Sequence, residues 1–212
     1  MASLVSASHA EALLREAAQT EDRLRRHLLV AAALREVLER EPVVVGGTAE
    51  EFQSGAPYHE TDLDVCGVVS AQERETLRSL GFRKRGRHWF HDASHVAVEV
   101  PDERIDGDAD RIERVAVGSG TAAIIGVDDL YLDRLRQATA PLSDEEGSIE
   151  FHSALAVATG AFDRIDRRYV LRRIRHIEQR EGSVGSRMRR LDSRIRRLAK
   201  RAQTGGPSEE ER

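Results

Sequence analysis

The sequence predicts an α+β fold, and three observations lead there. Apolar residues recur at three- and four-residue steps before residue 40 and again beyond residue 127, the period of amphipathic helices. Short β-rich runs bounded by Gly, Pro and Asp fill the middle of the chain, as strands do. The 212 residues, 40% apolar and 33% charged, suffice for one sizeable core or two small ones.

The elements follow in order. Residues 9–39 read as helix: Leu13, Leu14, Ala17 and Ala18 form one stripe, and Leu24, Leu28, Ala31, Leu34 and Leu38 a second. Thr20, followed by Glu21 and Asp22, reads as an N-cap with acids in the first turn, so two helices are expected to meet there. Pro42 stops the pattern. Val43-Val44-Val45 is a short buried strand closed by a Gly46-Gly47 turn, and a short helix starts at Thr48 and reaches Phe52. After a loop over 55–60, residues 62–69 alternate and form a second strand. Ser70 with Glu73 is a capping box, and Gly81 is the matching C-terminal signal for a helix over 71–79. Residues 82–85 and 87–91 form a hairpin around Gly86, 92–94 a turn, and 95–100 a strand closed by Pro101.

A loop over 102–110 leads to a second hairpin, 112–117 with 121–125, and then to a helix over 127–138 that opens on Asp128 and Asp129. Residues 141–147 are a linker, 148–159 and 166–180 are helices, and Gly182 to Gly185 break the chain. On a final helix Met188, Leu191, Ile195 and Leu198 repeat at steps of 3, 4 and 3, a stripe that packs on the body or pairs with a second chain. The expected division is an N-terminal helical segment (1–40), a core (41–140), a basic C-terminal helical region (148–202) and a disordered tail (203–212).

Composition excludes several classes. Apolar runs fall well short of a membrane span, and the N-terminus lacks the basic start and long apolar stretch of a secretory leader. Cys66 is the single cysteine, which rules out a disulfide framework and makes the reducing cytoplasm the default; set among apolar strand residues, it reads as a small buried hydrophobe. The net charge of −4 conceals an asymmetry: from Arg164 to Arg201 there are fifteen Lys and Arg against four Asp and Glu, a balance of +11. Such a basic third suits phosphate contacts with nucleic acid, or a clamp on the acidic remainder.

The chemistry-bearing pattern is Gly46-Gly47-Thr48, then Asp62-Leu63-Asp64, then Glu99. Carboxylates at i and i+2 of a strand point to one face. Such a pair, with a third acid on a neighbouring strand, can hold one or two magnesium ions, with water and phosphate completing the shell. Two ions can activate an attacking hydroxyl and stabilise a leaving pyrophosphate. The glycines let backbone amides approach triphosphate oxygens, and Thr48 adds a hydroxyl at a helix start. Glu99 interrupts the apolar run Val96-Ala97-Val98, which is explained if it faces a site.

In order and strand context these pieces resemble the nucleotidyltransferase superfamily with the polymerase-beta-like fold. The closer likeness is to small prokaryotic members with Gly-Gly-Thr-Ala and Thr-Asp-Leu-Asp, here Gly46 to Ala49 and Thr61 to Asp64, such as the abortive-infection type II toxin nucleotidyltransferases. The segment Ile125 to Leu135 resembles the strand and helix that follow their catalytic core; Arg134 stands where they usually carry lysine. The resemblance covers roughly residues 25–175. It implies a mixed-sheet core with catalytic and metal-binding Asp62, Asp64 and Glu99, and nucleotide binding by Gly46, Gly47, Thr48 and Arg134. The implied reaction moves a nucleoside monophosphate from a nucleoside triphosphate, with Mg2+ or Mn2+, to an RNA (for instance tRNA) or protein hydroxyl in a toxin–antitoxin setting. A homo-oligomer, or a toxin or antitoxin partner, would dock on the C-terminal helices. The alternative is an inactive member of the fold that binds nucleic acid or a partner.

Other patterns carry less. Strand alternation sets His88 on the opposite face from His91 and His95, so a shared zinc site is not expected. Asp106, Asp108 and Asp110 imitate a calcium loop, but Arg111 and Val117 stand where that loop needs Gly and Glu. Trp89 with Phe90 reads as core rather than as a base-stacking platform.

Overall fold

Val43 and Val44 are both buried, as befits a strand flanked on either side, and they form β1 (Val43–Val44) in the interior of a seven-stranded sheet. The computed structural model describes residues 4–57, 62–139 and 148–204. The other strands are β2 (Asp62–Cys66), β3 (Phe82–Arg85), β4 (His88–His91), β5 (Val96–Glu99), β6 (Glu113–Val117) and β7 (Gly120–Ile124). Their order across the sheet is β3-β4-β5-β2-β1-β7-β6. The sheet is mixed: β1 with β7 and β2 with β5 run parallel, and the other neighbours run antiparallel. With the helices, this is the expected α+β architecture.

Chain contacts divide the protein into two compact units, residues 1–52 with 57–126 and residues 53–56 with 127–212. The first unit holds the sheet with α1 (Leu4–Gln19), α2 (Arg23–Val37), most of α3 (Gly46–Ser54) and α4 (Ala71–Ser79). In α2 every residue from His27 to Leu34 is buried, the signature of a helix enclosed on most sides. Its N-cap is Asp22, which accepts from the Arg25 N–H at 3.0 Å, rather than Thr20. The Thr20 carbonyl instead accepts the Arg26 guanidinium at 2.7 Å. The capping box at Ser70 and Glu73 forms as read, with both reciprocal hydrogen bonds present. Trp89 and Cys66 are core residues, and the Lys84 ammonium lies 5.0 Å from the centre of the Trp89 ring. Helix α3 begins two residues earlier than its expected start and absorbs both glycines of the anticipated turn.

The second unit is helical: α5 (Val127–Gln137), α6 (Ile149–Gly160), α7 (Arg167–Glu181) and α8 (Ser183–Thr204). Helix α7 ends at Gly182, and α8 starts at once. The two helices meet so closely that a Cβ on Gly185 would fall 2.3 Å from the Glu178 Cα. Met188, Leu191 and Ile195 are buried, and Ala199 takes the fourth place in the stripe in preference to Leu198. A straight helix at 3.6 residues per turn drifts off a strict heptad by that last step. The stripe packs against α5, α6 and α7, so an internal partner covers it. Most of the expected linker and tail, and Thr61, lie outside the described residues. Among the described residues no helix is long and apolar enough to cross a membrane.

Asp192 is the only acid on α8 and is fully buried. It accepts from the Tyr131 hydroxyl at 3.2 Å and pairs with Arg167. Removing one partner of a buried ion pair leaves the other groups short of partners. Asp192→Ala should therefore lower unfolding free energy by about 3 kcal/mol in denaturant titrations, whereas an exposed change such as Ser193→Ala should leave it nearly unchanged.

Candidate active site

The site is built by strand alternation. In β2, Leu63 and Val65 are buried and Asp62 and Asp64 stay half-buried on the other face; in β5, Val96 and Val98 are buried and Ala97 and Glu99 are not. Parallel pairing sets Asp62 beside Ala97 and Asp64 beside Glu99, so all three acids share one face. On the far side of β5, antiparallel β4 sets His88 directly opposite Glu99. The His88 Nε2 atom lies 3.3 Å from Asp62 Oδ2 and 3.3 Å from Glu99 Oε2. Asp62, His88 and Glu99 each offer a donor atom, and all three atoms lie within 4.8 Å of one another. Arg87, largely exposed, places its Nε 3.2 Å from Glu99 Oε2.

Asp64 is outside this group of converging donors. Its side chain turns instead toward the start of α3. A Cβ on Gly46 would fall 2.2 Å from Asp64 Oδ2, and Gly46 has φ +62°. Two constraints thus require glycine there: left-handed backbone and close approach of a carboxylate. A carboxylate is also stabilised at a helix N-terminus, where amide dipoles leave partial positive charge. Gly47 and Thr48 are buried. The Thr48 Oγ1 lies 2.8 Å from the Nδ1 of His27, itself buried on α2. Burial and the neighbouring Arg23 push the His27 pKa down from 6.5 to about 4, with Asp62 acting in the opposite direction. His27 is therefore neutral at pH 7. Arg134 lies on α5 in the second unit, buried, and donates to Gln137 Oε1 at 2.8 Å.

Two carboxylates and an imidazole nitrogen form a donor set that fits a divalent cation. Ligands around an ion with bonds near 2.1 Å stand about 3.0 Å apart at right angles and about 3.4 Å apart in a tetrahedron, and the His88 separations of 3.3 Å lie in that range. Alternation puts His88 on the face opposite to that of His91, which excludes a shared histidine site and leaves its relation to the acids open. The alternation itself is right: His91 is buried, with its Nδ1 2.8 Å from Ser94 Oγ. The same alternation brings His88 to the acids. His27 is the second residue that sequence reasoning missed, because nothing local to α2 points toward Thr48.

No protein-family model matches the sequence, and no curated protein matches it at a significant level. The fold is similar to the crystal structure of an antigenic nucleotidyltransferase-like protein from Paracoccidioides brasiliensis, with TM-score 0.51 and 13% identity over 80% of this chain and 94% of that one. The chain therefore has a nucleotidyltransferase-like fold, with a group of side chains on its sheet that could hold a metal ion.

Two predictions follow from this geometry. Gly46→Ala should destabilise the protein by about 1–2 kcal/mol from the left-handed backbone alone, and more through displacement of Asp64. In an Asp64→Ala background the extra loss should vanish, so the double-mutant cycle should show clear coupling.

The second concerns pH. Because the folded state lowers the His27 pKa, its stability contribution is complete above about pH 6.5 and is lost as pH falls toward 4, by at most about 3 kcal/mol. His91, lowered chiefly by burial, acts in the same direction, whereas Glu41, held low chiefly by Arg114, adds its loss only below its ordinary value of 4.5. His27→Gln should flatten the slope of unfolding free energy between pH 6.5 and 4, leaving the His91 share.

Proposed function

We propose that the protein is a metal-dependent nucleotidyltransferase. The observation that carries this reading is the convergence of Asp62 and Glu99 from adjacent parallel strands on a nucleotidyltransferase-like fold. A divalent ion held by Asp62 and Glu99 would supply charge neutralisation on the reacting phosphates. Gly46 and Gly47 at the start of α3 bind triphosphate oxygens through backbone N–H groups. The neutral His27 fixes the Thr48 hydroxyl beneath them, and Asp64 braces the turn at Gly46. An acceptor hydroxyl attacks the α-phosphorus of a nucleoside triphosphate. The new P–O bond forms as the bond to the bridging oxygen breaks, and pyrophosphate leaves. The hydroxyl proton passes to the Glu99 carboxylate.

The acceptor in this reading is a hydroxyl of RNA or of a protein, and the cellular setting is toxin–antitoxin, as the sequence resemblance suggests. Arginines of α7 and α8 supply phosphate contacts for an RNA acceptor; the burial of Asp192 leaves the remaining side chains of α8 without an acid. Arg134 takes part in donor binding by the same resemblance.

The test is incorporation of each labelled triphosphate into total RNA or cell extract with a divalent ion present. Asp62→Asn and Glu99→Gln should each lower the rate on the order of 10² to 10³, about 3–4 kcal/mol of transition-state stabilisation, with the fold intact by melting temperature. Unchanged incorporation in the double variant would end the enzyme reading. A second reading, a binding protein on the same fold without turnover, draws support from Arg87 and His88, which already lie on Glu99. It requires salt-sensitive RNA binding that survives both substitutions.

A further inference from the structure

We infer that His88 is a metal ligand, and that it makes this centre select manganese(II) over magnesium(II). The inference deepens the metal-dependent reading, and rests on it only in taking Asp62 and Glu99 as ligands. It starts from geometry. The His88 Nε2 faces Asp62 and Glu99 at the same separation, 3.3 Å from each, so a single ion can be reached by all three atoms. The ring is only about one quarter exposed, and the carboxylates are 25% and 13% exposed. The three groups are therefore partly withdrawn from water. The register that sets His88 opposite Glu99 comes from the pairing of neighbouring β4 and β5, which also buries Trp89 and Val98 opposite each other. His88 thus cannot leave the face without turning Trp89 out of the core.

Donor chemistry then decides the ion. Magnesium demands oxygen ligands and gives up its water reluctantly. An imidazole nitrogen favours first-row transition ions, whereas carboxylate, phosphate and water suit magnesium, calcium and manganese. Of the two ions, manganese(II) is the one that tolerates the nitrogen and still keeps an oxygen-rich shell, with positions left for phosphate and water; later first-row ions would bind the same nitrogen more tightly still. A site of Asp62 and Glu99 alone would give a weaker preference. Arg87, at 3.2 Å from Glu99 and exposed, can swing into solvent when the ion enters.

The experiment titrates Mn2+ into the full-length protein and follows the electron paramagnetic resonance signal of the free aqueous ion, with Mg2+ as competitor and no nucleotide present. The wild type should bind Mn2+ at least about tenfold more tightly than Mg2+. His88→Ala should lower Mn2+ affinity about tenfold or more and change Mg2+ affinity less than about twofold, so that the preference collapses. His88→Asn, which keeps a polar side chain and offers an oxygen, is the second variant; it should also lose the preference while keeping the wild-type melting temperature. Equal affinity of the wild type for the two ions overturns the inference. So does wild-type Mn2+ binding in either folded variant, or no Mn2+ binding at all, which would leave His88 as an internal hydrogen-bond partner of the two acids. If Mn2+ binds as expected and no triphosphate is ever incorporated, the ligand assignment stands and the transferase reading falls.

Discussion

Asp62, Asp64 and Glu99 share a face because β2 and β5 run parallel in a register that sets Asp64 beside Glu99. A slip of one residue would turn the Glu99 carboxylate into the layer now filled by Val96 and Val98 and bring those valines to the surface. The apolar half of each strand therefore fixes the position of the polar half. Leu63, Val65, Val96 and Val98 are each no more than 2% exposed, and burying four such side chains is worth several kcal/mol, on the order of 1.5–3 each. The same logic extends one strand further. Trp89 is buried opposite Val98, so His88 must emerge opposite Glu99. The candidate centre is thus held in place by packing behind it more than by the groups that form it.

Around this face the polar groups are held by neighbours of specific shape. Gly46 is the point at which β1 gives way to α3, and the Asp64 carboxylate occupies the space that any other residue's Cβ would need. His27 and Thr48 form a buried pair between α2 and α3. Burial removes the proton from the imidazole and, with it, a positive charge that would otherwise sit near Asp62. A neutral histidine there adds no positive charge beside Asp62. In the second unit the polar anchor is of another kind. Asp192 is enclosed and receives both a guanidinium and a phenol, which adds a polar constraint to the rotation that the apolar stripe of α8 already sets.

Much of this was legible in the chain. The capping box at Ser70 and Glu73, the hairpin around Gly86, the strand read over 62–69, which ends at Cys66, and the helix opening on Asp128 follow from local chemistry: a side chain bonding a nearby amide, a glycine at positive φ, a period of two. Departures occur where a choice is not local. Thr20 and Asp22 are both good caps, and the decision went to Asp22, the one whose carboxylate reaches the Arg25 amide. Leu198 and Ala199 both border the stripe of α8, and the drift of an α-helix from heptad spacing brought Ala199 inward. The glycines read as a turn entered the helix because the first residues of a helix need no intrahelical amide bond, so Gly46 can open one in left-handed conformation.

By itself the sequence determined the α+β class, the order of elements, and the three acids on strands that follow a Gly-Gly-Thr segment. Each of these depends on residues close together in the chain, where periodicity and capping act. Which donors meet was decided only by tertiary structure. His88 joins Asp62 and Glu99, Asp64 turns to Gly46, and His27 reaches Thr48 from a helix 21 residues earlier. These outcomes depend on strand order, register and the direction in which side chains lean, and those are set by how the whole sheet and its helices bury their apolar faces.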